Sequence, residues 1–464
     1  MRVPRTLWNL CVHELALTLL YVSAMAAITF PAVAQRPLAA PQPALRAQRM
    51  PVMARGALFT LGGHVTSLAR PIAIAWFARI YGATPLGGFL LISALVEFGA
   101  RLATMGLDRG LQRWGDDRRT EATVAGMVMA AITALAMALV LVVAVPRFGA
   151  IDRDGVLPAQ LLLLVALPLT AIGNVALRAS RGGTQITTYV LARGVTEPLL
   201  LLLAGLVLST RTSGWIALPA SLMISVVGGA AVAAVGLVRT FGGRQLAASL
   251  VHMGAWPVRE LGRISLPLGF ADLLQSAQAK LDLVAVALVT FSAHAITSYA
   301  IAAEVAGVFI AIRGGIDQIV GPLAADAQHN RRELRRILVT MTRWSMMIAA
   351  PIALVIALSP ERLLRWFGGS EAAVLVLLVL AAGRAVEMVL APSASMLAII
   401  GAPRLSLLDA AAGVAIGVVG QLVAGIFGLG LVAVAIASAA GVVASSMLAR
   451  HWLVRAGTQP GLSW

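Results

Sequence analysis

The chain has 464 residues, 59% hydrophobic and 12% charged, with 36 basic residues against 20 acidic ones and a formal net charge of +16. Its mean hydropathy is +0.89, whereas a soluble domain carries roughly 25% charged residues, so a soluble globular protein is excluded. The charge does not argue for nucleic acid either, because the Arg residues fall in short clusters between apolar runs and not on one tail or face.

The N-terminal segment is ambiguous. Arg2 and Arg5, the apolar stretch Leu15–Phe30 and Ala32-Val33-Ala34 are laid out like a cleavable signal. Arg36, Arg46, Arg49 and Arg55 follow with no acid among them, which resists translocation. Residues 1–52 therefore read as an extension: an extra helix, a signal, or a reading frame that begins ahead of a natural start at Met53.

Beyond it, apolar runs near the roughly 20 residues needed to span a bilayer predict helices at 57–80, 85–106, 122–146, 158–178, 187–209 and 215–238. A second set is predicted at 265–290, 297–322, 341–359, 372–398, 405–427 and 430–449. With the first span starting inside, the segments on the cytoplasmic side hold 23 Arg and those on the opposite side hold six: Arg79, Arg147, Arg153, Arg211, Arg362 and Arg365. That asymmetry places both ends of the unit in the cytoplasm. The expected fold is all-α and integral to the membrane, about twelve transmembrane helices in two six-helix bundles related by a pseudo-twofold around a central cavity. Residues 53–238 form the first bundle, 239–263 a cytoplasmic linker, 264–450 the second bundle and 451–464 a cytoplasmic tail. A weak internal repeat supports the division: Gly88-Phe89 and Gly106-Leu107-Asp108 in the first half match Ser298-Tyr299 and Gly315-Ile316-Asp317 in the second. Asn330 with Glu333 reads as a capping box opening the basic start of the ninth span.

Charges inside the spans mark the places where chemistry could occur, since one ionised side chain at a helix centre costs about 2.5–3.5 kcal/mol on insertion scales. They are Arg70, Glu97, Arg101, Glu197, Asp272, Lys280, Asp282, Glu304, Arg313, Arg384, Glu387 and Asp409. Glu97 with Arg101, and Arg384 with Glu387, are spaced to pair along one helix, as are Arg313 and Asp317. Arg70 and Lys280 lie near the middle of their spans without an acid three or four residues away, which points to a cavity or to an interhelical partner. A basic cluster in a transporter core favours an anionic ligand, and Arg geometry suits phosphate. Span prolines such as Pro71, beside Arg70, are tolerated where helices line a cavity.

Other chemistries lack their residues. Cys11 is the single Cys, which removes disulfides and Cys-based zinc sites. The six His residues are scattered without a metal-binding pair, and Lys280, the sole Lys, falls mid-span, which removes a phosphate-binding loop of the Walker type. No metal, cofactor, catalytic residue or nucleic-acid partner is expected.

The run ARPIAIAWFARIYGATPLGGFLLISALVEFGARLATMGLDRGLQRW, within Gly63 to Trp114, resembles the first two helices of bacterial Wzx-type flippases. These form a branch of the multidrug/oligosaccharidyl-lipid/polysaccharide exporter superfamily. The run from Ser265 to Ala327, with Pro267, Asp282, Tyr299 and Pro322, resembles that family's seventh and eighth helices, and IIGAPRLSLLDA its turn between helices ten and eleven. The resemblance covers roughly 55–450. It implies a non-enzymatic flippase of the bacterial plasma membrane moving undecaprenyl-pyrophosphate-linked oligosaccharides for O-antigen, capsule or exopolysaccharide synthesis. Its implied partners are the lipid-linked substrate, membrane lipids, and a polysaccharide polymerase with its chain-length machinery. By position Arg70, Arg101, Lys280 and Arg313 are candidate pyrophosphate contacts, with Glu97, Asp272, Asp282 and Glu304 as coupling or pairing acids. Alternatives are a drug or cation antiporter of the same superfamily, and a membrane polysaccharide polymerase or lipid-dependent glycosyltransferase. The outer loops, three to eleven residues long, are small for the last.

Overall fold

The computed structural model describes residues 69–111, 119–147, 151, 153–180, 186–251, 258–290, 292–314, 316, 320, 330–399 and 403–455. Residues 1–52, Cys11 and His64 lie outside this set. Among the described residues every element is helical, and a helix lies within each predicted span. The first set is α1 (Ala69–Tyr81), α2 (Ala83–Thr104), α3 (Arg119–Ala144), α4 (Arg153–Ala179), α5 (Glu197–Ser209) and α6 (Gly214–Phe241). The second is α7 (Val258–Thr290), α8 (Ala293–Ala306), α9 (Arg331–Leu358), α10 (Val374–Ile399), α11 (Pro403–Ile426) and α12 (Gly430–Arg455). Among the described residues ten helical stretches are long and apolar enough to cross a membrane, one at each of α2 to α6 and α8 to α12, with α5 taken from Val190 through Ser209 and α8 from Ala293 through Gly314. The other two, α1 and α7, are the first helices of the two halves.

Several helices outrun their apolar cores. α7 begins at Val258, α9 at Arg331 and α12 continues to Arg455, because Arg and Leu are good helix formers and a helix need not stop where hydropathy does. The predicted linker 239–263 is itself largely helical, with a short amphipathic helix at Gly243–Val251. The N-cap half of the expected capping box at the head of α9 forms: Asn330 accepts from the Glu333 backbone N–H at 3.2 Å. Apolar side chains face outward along α3 (Leu139, Val140, Val143) and α9 (Leu354, Val355, Leu358), as a lipid solvent requires.

The helix at the centre is α2. Its apolar window is 78% buried, against 17% for α3 and for α9, and it packs on α7 and α8 of the other half as well as on α1, α3, α4 and α6. At its start the Thr297 hydroxyl donates to the Ala83 carbonyl at 2.5 Å. At its end Met105 and Gly106 turn left-handed, with φ of 41° and 76°, closing the helix through the Met105 N–H. There a Cβ on Gly106 would lie 2.2 Å from the Gly269 nitrogen, so backbone meets backbone. α2 is thus the seam between the halves. Of the internal repeat, Phe89 and Tyr299 are both buried, whereas Gly315 and Asp317 lie outside the described residues.

Candidate functional site

Three polar clusters interrupt the apolar interior. The first straddles the seam. Glu97, fourteen residues into α2, reaches two other helices at once: Oε1 accepts from Arg70 of α1 at 2.5 Å and Oε2 from Lys280 of α7 at 2.8 Å. Arg70 also lies 3.8 Å from Glu304 of α8 and donates to the Ser93 hydroxyl at 3.4 Å. Two acids therefore face two cations, drawn from both halves. The side chains of Arg70 and Glu97 are each 32% exposed, so the cluster is only half-buried. Arg101, one turn further along α2, lines a crevice with Met105, Leu266 and Phe270 where α2 meets α7.

The second cluster lies inside the second half and is more enclosed, with the Glu387 side chain 11% exposed. Glu387 of α10 accepts from Arg384, one turn earlier, at 2.8 Å and pairs with Arg313. Asp282 of α7 is buried beside them, accepting from the Tyr299 hydroxyl at 3.2 Å, the Ser438 hydroxyl at 3.4 Å and the Leu283 N–H at 2.8 Å. Asp409 is buried on α11, its carboxylate capped by the Ala410 N–H at 2.6 Å.

The third cluster belongs to the first half. A seven-residue π-helical segment, Val190–Thr196, leads into α5, and Pro198, which has no N–H for the carbonyl four residues back, follows it. The wide turn carries Arg193, which donates to Glu197 at 2.7 Å and to Asn174 at 2.5 Å.

The sequence expectations fare unevenly. The Arg384–Glu387 pair forms. Of the two options left open for Arg70 and Lys280, a cavity or an interhelical partner, the second is present: Glu97 pairs with both across the helices. Arg313 pairs with Glu387 of α10; its expected partner Asp317 lies outside the described residues, and so does the side chain of Asp272. Arg193, near the start of the predicted span 187–209, is not among the span charges read from the sequence. Its i,i+4 acid, Glu197, was the available signal.

A family model for polysaccharide biosynthesis proteins matches residues 77–376. The chain belongs to that family. No curated protein matches it. Solved structures show the fold. An outward-facing multidrug resistance MATE transporter of the MOP superfamily aligns with a TM-score of 0.63 at 17% identity, over 88% of this chain and 96% of that one. The lipid II flippase MurJ in an inward closed conformation gives 0.62 at 12% identity, over 87% and 88%. A MOP superfamily transporter from Pyrococcus furiosus, described as having a binding pocket of reversed polarity, gives 0.58 at 18% identity, over 88% and 96%. The resemblance read from the sequence is borne out: this polysaccharide biosynthesis family member is a multi-pass membrane protein with the MOP transporter fold.

Proposed function

We propose that this polysaccharide biosynthesis family member is a flippase carrying undecaprenyl-pyrophosphate-linked oligosaccharides across a bacterial plasma membrane. The product would be O-antigen, capsule or exopolysaccharide, handed to a polymerase and its chain-length machinery. The observation that carries this reading is the half-buried Arg70–Glu97–Lys280–Glu304 cluster, in which each half contributes one cation to a shared point at the seam. A pyrophosphate can accept from a guanidinium fork and an ammonium together, and a site shared by two bundles changes its access when they rock against each other. In this reading 53–238 and 264–450 are the moving units, 239–263 is a cytoplasmic linker, 451–464 a cytoplasmic tail, and both ends are inside. Arg101, at the α2–α7 crevice, meets the headgroup on its way to the cluster.

The test is protein reconstituted into vesicles with a fluorescent lipid-pyrophosphate-linked oligosaccharide in one leaflet. Movement to the other leaflet faster than in protein-free vesicles is expected, and equal rates would overturn the reading. Glu97 and Glu304 also favour a second reading, a cation antiporter of the same superfamily. Uptake of a lipophilic cationic dye by the same vesicles, without lipid movement, would select it.

A further inference from the structure

Glu97 occupies the positions a phosphate would need. Its two oxygens sit on Arg70 and Lys280, at 2.5 and 2.8 Å, with one cation from each half. With Glu304 beside Arg70, the cluster holds as many acids as bases and has no surplus positive charge in the empty carrier. Arg193 and Glu197 of the third cluster, themselves a pair, also face Glu97, and Arg101 follows one turn further along α2. An arriving headgroup therefore competes with a carboxylate already seated. The enclosed Arg313–Glu387–Arg384 group differs: Glu387 is 11% exposed against 32% for Glu97, so a ligand has less access to it.

We propose that Glu97 is an internal competitor for the headgroup, seated on Arg70 and Lys280 in the empty carrier, displaced when a phosphate arrives, and returning to expel it. This rests on the flippase reading above and adds a release step to it. A site of two desolvated cations alone would hold a pyrophosphate tightly on both sides of the membrane, and a carrier must also let go. A tethered carboxylate lowers the cost of release, because the cations are never left without a partner.

The experiment uses the full chain in lipid nanodiscs, with farnesyl pyrophosphate as the probe, and compares wild type with Glu97→Gln. The variant is expected to bind the probe about tenfold more tightly while moving lipid-linked pyrophosphate roughly tenfold more slowly in vesicles, because release becomes limiting. A residue that merely held the helices together would weaken binding when removed. Equal or weaker binding by Glu97→Gln, with wild type binding normally, would overturn the proposal and leave the flippase reading standing. If neither protein binds the probe at millimolar concentration, the headgroup site itself is wrong and both fall. Should Glu97→Gln fail to fold, Glu97→Asp keeps the charge but is one methylene too short to span both cations. Its binding is expected to tighten about threefold, and unchanged or weaker binding would overturn the proposal.

Discussion

Two matched pairs of glycines isolate the close approach of α2 and α7. Gly82 and Gly106 both adopt positive φ, 78° and 76°, but a Cβ on Gly82 meets nothing within 4 Å while one on Gly106 lies 2.2 Å from the Gly269 nitrogen and 2.4 Å from the Ser265 carbonyl oxygen. Ala at Gly82 should cost only backbone strain, about 1–3 kcal/mol, because φ 78° with ψ 179° is a conformation essentially confined to glycine. Ala at Gly106 adds overpacking of about 1–3 kcal/mol, near the top of that range because the obstacle is backbone and cannot rotate away. Gly262 and Gly269 form the second pair, both within α7. A Cβ on Gly262 meets nothing within 4 Å, whereas one on Gly269 lies 2.2 Å from the Met105 carbonyl carbon and oxygen. Gly262→Ala should therefore stabilise by about 1 kcal/mol through helix propensity, and Gly269→Ala should lose that gain to the clash. Thermal unfolding of the four purified variants in detergent measures the differences. The expected order is Gly262→Ala above wild type, then Gly82→Ala, then Gly106→Ala, with Gly269→Ala below Gly262→Ala. Equal midpoints for Gly262→Ala and Gly269→Ala would refute the close approach of the two backbones.

Two further predictions follow from the ion pairs and the Arg asymmetry. Glu387→Gln leaves Arg313 and Arg384 without their shared carboxylate, at a cost of about 3–5 kcal/mol, and should deplete the protein from membranes. Adding Arg384→Met should recover part of the loss in immunoblots, and no recovery would contradict a structural role for the triad. A reporter fused at Leu250 should be cytoplasmic and one at Trp366 external. Finding both on one side would contradict the proposed orientation.

The membrane fold was legible because the solvent writes itself into the chain: apolar runs of bilayer length and Arg-rich connections need no tertiary knowledge. Helix ends were less legible where no cap marked them: Val258–Arg263 forms helix on propensity, not hydropathy, whereas the basic start of α9 was readable from its Asn330 cap. Among the ion pairs, Arg384–Glu387 was readable from its i,i+3 spacing. The Glu97 bridge to Arg70 and Lys280 was not, because its partners lie 27 and 183 residues away along the chain. Sequence spacing reports neighbours on one helix, and only packing reports those across three. Arg193 is a different case: it lies within the predicted span 187–209 and its i,i+4 acid Glu197 was readable, while its contact with Asn174 is set by packing.

The central claim is that Arg70 and Lys280 receive the substrate's headgroup at the seam. Flipping of lipid-pyrophosphate-linked oligosaccharide by reconstituted Arg70→Ala and Lys280→Ala variants tests it most directly, alongside their abundance in the membrane. Each variant leaves Glu97 one cation, so both should accumulate. Losing one charge-assisted contact should slow flipping by about tenfold or more. Arg70→Lys should recover only part, since an ammonium cannot reproduce the two-pronged fork. If flipping instead falls only in step with abundance, and Glu97→Gln added to either variant restores both, the two cations hold helices together and the claim is contradicted.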